Sequence, residues 1–484
     1  MPNVRRPAAR PPVRPASTVP STPAAGTGAA TTPAADTAPD TFTPVGPPTV
    51  MPSPGPAPGG ASPLSVRLAS TTGAPLAQAD SAVDAKLQKI KDLLVEPVSR
   101  EAEGKVLDLL KDTSATELDA LIARLDLHEL VENLEDHWFG ADNREGLFEL
   151  LARERVSDLR PATRARVVTA LQKGSTTDDK ERAIRDVFLA TRGAELTALK
   201  NAIDAGGDSD DLVKLLHSDI DDGAIRDAIV SHIAHESGAS STGRVKVLSD
   251  IDDTLYANWV DARYPKKTVY PGVRAFYREL SGVTPSPDAP ETHVTFLTAR
   301  PDERTGLVEE MTHGTVRDLG VGEATVLAGA ITHLHNNDAI ADKKYENFER
   351  YSALYPEYGA VFIGDSGQGD AILAARMAAG HPSKVKGTFI HDVVGLPEDK
   401  RAELRAAGVV VFDTYAGAAL EAHQLGLLDD EGLARVVQAA VADFVAVGFA
   451  DDAQRSARRG ELTRDVAAVN AALPAGLQVD VSGL

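Results

Sequence analysis

Three clusters of small polar residues, each following a short apolar run, carry the groups in this chain that could do chemistry. They are Asp250-Ile251-Asp252-Asp253-Thr254, Thr298-Ala299-Arg300-Pro301 and Gly364-Asp365-Ser366-Gly367-Gln368-Gly369-Asp370. A fourth piece, Lys343-Lys344, lies between the second and third and opens a helical pattern. Singly, each has an ordinary explanation, because Asp, Ser and Thr commonly cap helices and fill turns. Jointly, and in this order, they suit phosphoryl transfer. Asp250 and Asp365 can supply two carboxylates to a hard divalent cation, which prefers oxygen ligands. Mg2+ would offset their mutual repulsion and that of an incoming phosphate. Asp250 can then act as a nucleophile, forming an aspartyl-phosphate. Asp252 is placed to protonate the leaving oxygen and afterwards to activate water. Thr298 can donate to phosphate oxygens, and a lysine adds a compact positive charge. Lys344 is preferred over Lys343, because Lys344, Phe348 and Tyr351 fall on one helical face that packs toward a sheet.

Short strands must hold these clusters at their carboxyl ends, where ligands bind in open parallel sheets. The apolar runs 244–249, 292–298, 324–329, 359–364, 384–390 and 408–412 alternate with helical segments, the pattern of a Rossmann-like α/β fold with helices on both faces of a parallel sheet. Ahead of them, from Asp84 to about Ser237, apolar residues recur at helical spacing. Leucine-rich pairs such as Leu109–Leu110, Leu150–Leu151 and Leu215–Leu216 mark degenerate helical hairpins there. Residues 1–82 are rich in Pro, Ala, Thr, Ser and Gly, with too few large apolar side chains to offset ordering entropy, and read as disordered. The expected division is 1–82 disordered, 83–238 all-α bundle, 243–428 catalytic α/β unit and 429–484 C-terminal helices.

The bulk numbers exclude several classes. The 484 residues carry a formal net charge of −21, which disfavours nucleic acid as a partner. There is no cysteine, hence no disulfide, thiol nucleophile or Cys-ligated metal. No apolar stretch is long enough to span a membrane, and no secretory signal is recognisable, so the cytoplasm is the expected location. His333 and His335 flank Leu334 without a third ligand at metal spacing. Trp259, Tyr264 and Tyr270 follow the first acidic cluster and could line an entrance, although core packing is the commoner role for aromatics.

The four clusters resemble the motifs of haloacid-dehalogenase-like hydrolases. More narrowly, SDIDDT, LTARP, the stretch from Lys344 through LYPEYG, and FIGDSGQGD resemble the phosphatidate phosphatase catalytic-domain family related to the lipins. The resemblance covers roughly 243–428. It implies Asp250 as nucleophile and Mg2+ ligand, and Asp252 as acid/base and a ligand through its carbonyl. It implies Asp365 and Asp370 at the metal, and Thr298 and Lys344 on the phosphate. Relatives carry an acidic pair where this chain has Gly369-Asp370-Ala371. Only 43 residues separate Thr254 from Thr298, and 45 separate Thr298 from Lys344, leaving room for no more than a minimal cap. An open site suits a bulky phosphomonoester, and a phosphatidate-like lipid is the first expectation. Phosphatase action on phosphoprotein or polynucleotide ends, and a non-catalytic lipid- or partner-binding scaffold, are the alternatives. A peripheral membrane contact and a protein partner for the helical region complete the expectations.

Overall fold

The computed structural model describes residues 73–95, 99–134, 143–206, 211–238, 241–282, 294–297, 324–327 and 337–484. Thr298, Arg300, His333, His335 and most of the stretch expected to be disordered lie outside the described residues.

The first described helix, α1 (Gly73–Leu93), opens ahead of the position its apolar pattern marks and buries Val83, Leu87 and Ile90. Helices α2 (Arg100–Lys111), α3 (Ala115–Arg124), α4 (Leu127–Asn133), α5 (Asn143–Glu149), α6 (Pro161–Gln172), α7 (Asp178–Ala190), α8 (Gly193–Asp204), α9 (Leu212–Lys214) and α10 (Gly223–Gly238) follow. Local signals set their starts. Ser114 and Glu117 form a reciprocal capping box on α3, and Pro161 occupies the first turn of α6, where its missing N–H costs nothing. Leu150–Leu151 and Leu215–Leu216 each begin a π-helical turn, so these pairs mark breaks in helical register.

Six strands and the described helices between them follow: β1 (Val245–Ser249), α11 (Val273–Ser281), β2 (Val294–Leu297), β3 (Ala324–Leu327), α12 (Asn337–Leu354), β4 (Gly359–Asp365), α13 (Asp370–Gly380), β5 (Val385–His391), α14 (Glu398–Ala406) and β6 (Val410–Phe412). Helices α15 (Tyr415–Gln424), α16 (Asp430–Val445) and α17 (Asp452–Ala472) end the chain. The sheet is wholly parallel, in the order β3-β2-β1-β4-β5-β6. This is the Rossmann order, and its reversal point lies between β1 and β4. All six expected strands form.

Side-chain alternation sends the two faces to different cores. Val247, Val361 and Ile363 face α11, α15, α16 and α17. Leu248, Ala360 and Phe362 face α12 and α13, in a core that runs on without interruption into the N-terminal helices. Polar groups lock this second junction at the amino ends of β1 and β4. The Lys200 ammonium donates to Glu357 Oε2 at 3.1 Å, to the Leu354 carbonyl at 2.8 Å and to Ser237 Oγ at 3.0 Å. Lys246 Nζ, at the start of β1, donates to Asn201 Oδ1 at 2.6 Å, and the Tyr355 hydroxyl donates to Asp204 Oδ2 at 2.7 Å. The N-terminal helices are thus fastened at the opposite end of β1 and β4 from their acidic ends. No described helix is long and apolar enough to cross a membrane.

Candidate active site

The chain leaves β1 at Ser249 and must place Asp250 at the crevice between β1 and β4. The Asp250 amide still donates to the Ile363 carbonyl of β4 at 2.9 Å, so the ladder extends to the first carboxylate. Parity continues too. Asp250 follows Lys246 and Leu248 on the α12 face, and there its Oδ1 meets the Lys344 ammonium at 2.6 Å. Lys344 donates equally to Asp370 Oδ1, also at 2.6 Å, and is buried. Lys343, one residue earlier, pairs at the surface with Glu346. Lys344 therefore bridges two carboxylates from two different elements.

Asp365 lies at the end of β4, fully buried. Its Oδ1 accepts from the Gly367 amide at 2.6 Å, while Oδ2 is buried with no partner. Asp250, Asp365 and Asp370 each offer an oxygen, and these oxygens lie within 4.8 Å of one another. Two glycines make that convergence sterically open. A Cβ on Gly364 would lie 2.6 Å from the Asp370 side chain, which folds back under the strand end. A Cβ on Gly369 would strike the Asn337 carbonyl oxygen at the start of α12. A side chain at 369 would therefore have no room here.

The electrostatics follow from burial. Burial raises the Asp250 carboxyl to about 7, with Asp370 and Asp252 adding to the rise and Lys344 opposing it. Burial, Asp370 and Asp250 push Asp365 well above the usual carboxylate range. Burial disfavours the charge on Lys344, but Asp250 and Asp370 outweigh it and hold the ammonium above its ordinary range. The orphaned Asp365 oxygen lies among the oxygens of Asp250 and Asp370, an arrangement a hard cation could satisfy. The donor set, all oxygen, fits Mg2+.

Asp252 is not one of the three carboxylates whose oxygens converge. Its Oδ1 accepts from Asn258 Nδ2 at 2.7 Å. Asp250 and Asp252 keep side- or main-chain surface open to solvent, whereas Asp365 and Asp370 show none. Asp253, to which the sequence assigns no separate role, organises the following loop. It adopts φ 57°, a left-handed conformation that Asp tolerates better than most residues. From there its carboxylate accepts from the amides of Asn258, Trp259, Val260 and Asp261, at 2.8–3.2 Å. The only sequence signal for this was a third acid in one short run. Tyr264 and Tyr270 are buried, in keeping with core packing, and the Tyr270 hydroxyl donates to Asp261 at 2.8 Å. Trp259 is exposed.

Acid, lysine and glycine positions now stand as one site at the reversal point of the sheet. Residues 245–392 match the family model for the catalytic domain of the phosphatidate phosphatase APP1. The match begins with β1 and ends one residue past β5, so it holds Asp250, Asp252, Lys344, Asp365 and Asp370 and supports the resemblance drawn from the motifs. The match covers under a third of the chain and supports a phosphatase-type hydrolase reading of this segment. No curated protein and no solved structure matches the chain.

Proposed function

We propose that the chain is a Mg2+-dependent phosphomonoesterase of the haloacid-dehalogenase type, with a phosphatidate-like lipid as substrate. The observation that carries the reading is Lys344 bridging Asp250 and Asp370 beside an unpartnered, buried Asp365 oxygen. The family match supplies the substrate class, as the printed description of that family.

In this reading Asp250, Asp365 and Asp370, with the Asp252 carbonyl, hold Mg2+, which when bound neutralises charge on the carboxylates and the phosphate. Lys344, already fixed by two carboxylates, orients Asp250 and faces the phosphoryl oxygens, with Thr298 as a further donor. An Asp250 oxygen attacks phosphorus, and the bond from phosphorus to the ester oxygen breaks. Asp252 gives its proton to the departing oxygen. A water then attacks the phosphorus of the aspartyl-phosphate, losing a proton to Asp252, and Asp250 is regenerated as phosphate leaves. Asn258 Nδ2 donates to Asp252 Oδ1 and so orients this carboxyl for proton transfer.

The test is phosphate release from short-chain phosphatidate and from p-nitrophenyl phosphate. Chelating Mg2+ and the change Asp250→Asn should each reduce release to background. Full activity of Asp250→Asn on both esters would sink the proposal.

A further inference from the structure

Six large apolar side chains are exposed among the described residues, and three of them lie on the two loops that follow β1 and β5. Trp259 is 69 % exposed and Val260 43 %, on the loop after β1; Val394 is 47 % exposed, on the loop after β5. Contacts tie both loops to the strand end that carries Asp365. Val260 Cγ1 would lie 3.2 Å from a Cβ on Gly367, so it packs against the turn after β4. Ser366 Oγ accepts from the Val393 amide at 3.0 Å and donates to Asp392 at 3.1 Å. The apolar rim and the buried acids therefore share one rigid frame.

The loop after β1 is held out and does not simply lack a partner by fraying. Asp253 grips the amides of residues 258–261, and Ala257 pairs with Thr268 and Lys267, at 3.0 and 2.7 Å. Trp259 and Lys266 thus leave the two arms of one short flap. Asp261 and Arg263 satisfy each other within it, at 2.9 Å, so Lys266 and Lys267, both exposed, set its charge. A positive, tryptophan-tipped flap on a chain of net charge −21 is a local exception. Indole rings favour the headgroup level of a bilayer, and lysines beside them are drawn to anionic lipid.

We infer that Trp259, Val260 and Val394, with Lys266 and Lys267, form a docking rim that seats the site on an anionic lipid surface. The rim would bring the crevice to phosphate groups lying at the surface, without a lipid having to leave the bilayer. The inference deepens the phosphatase reading, since it concerns how that site reaches a lipid, but docking itself needs no turnover.

The experiment is co-sedimentation of the full chain with phosphatidylcholine vesicles, with and without phosphatidylglycerol, which is not a phosphomonoester. Binding should require the anionic lipid. Trp259→Ala, an exposed position that the fold does not need, should weaken it by about tenfold. Changing Lys266 or Lys267 to Ala should weaken it by about fivefold each. In a Trp138→Phe background, vesicles should shift the remaining Trp259 emission to the blue. Absence of vesicle binding, or binding indifferent to Trp259→Ala, would overturn the inference; so would a wild-type dimer that Trp259→Ala dissolves, since a second copy would then cover the rim. The wild-type chain separates the two readings. Vesicle binding without phosphate release from any ester defeats the phosphatase alone, and release from a soluble ester without vesicle binding defeats the docking rim alone.

Discussion

At the scale of single residues, the acidic cluster costs the fold stability. Asp365 carries a buried oxygen with no partner and sits among like charges. Asp365→Asn should therefore stabilise the metal-free protein by about 1–2 kcal/mol, because it removes repulsion and a buried charge. The same change should abolish stabilisation by Mg2+, which in the wild type should reach about 2.7 kcal/mol at a hundredfold excess over Kd. Thermal melts with and without Mg2+ check both, independently of activity. A Mg2+-induced rise in Tm that survives Asp365→Asn would contradict the assignment.

His391 poses a different residue-scale test. It is buried, stacked on Phe412 with ring centroids 5.1 Å apart and T-shaped to Tyr270 at 4.5 Å. Burial first, then the Arg263 charge, depress it from 6.5 to about 3. Between those values the unfolded chain takes up a proton that the folded chain refuses. Its contribution is complete above pH 6.5 and is lost as pH falls toward 3, at up to about 1.4 kcal/mol per pH unit. His391→Asn should flatten the acid side of the stability profile, read as urea midpoints between about pH 7 and pH 5.

At the scale of elements, the flap after β1 depends on one side chain. Asp253→Ala removes the acceptor of four backbone amides and puts a less tolerant residue at φ 57°. Each bond is worth roughly 1 kcal/mol, and buried amides left bare cost more. The variant should be destabilised by about 2–4 kcal/mol, with accelerated proteolytic cleavage inside 258–267 as the direct readout. Cleavage there at the wild-type rate would show that the flap is held by other contacts. The strands needed no such side-chain scaffold. Their apolar runs and parallel pairing were legible in the chain, whereas the flap is built by one Asp reaching five to eight residues ahead, a distance no period records.

At the scale of the whole molecule, the polar junction between α8 and the end of α12 decides how the N-terminal helices and the sheet act together. Lys200 and Glu357 are both fully buried, 2.8 Å apart at closest approach. Glu357→Leu alone leaves a buried ammonium and should cost about 3–5 kcal/mol. Pairing it with Lys200→Met should recover most of that loss, because the desolvated pair contributes little net stability. Urea denaturation of the two single variants and the double variant measures the coupling. Additive losses would mean that the two groups do not depend on each other. The junction also answers where the helices sit. They extend one core of the sheet and are fastened at the amino ends of β1 and β4, so the carboxyl-end crevice is not their attachment point.

Period, composition and short-range pattern were enough to read out six strands, their order along the chain, the helical stretches around them and the acids and lysine at strand ends. These are local properties: alternation of apolar residues records burial on a face, and a parallel strand must deliver its last residue to one edge. The convergence of Asp250, Lys344, Asp365 and Asp370 within hydrogen-bonding reach needed the strand order that sets β1 beside β4, and glycines at 364 and 369 that let backbone and carboxylate crowd together. The work of Asp253, the outward turn of Trp259 and the Lys200–Glu357 lock came only with tertiary structure. Each joins groups whose separation along the chain carries no signal, and burial, which sets their energies, exists only once the chain has folded.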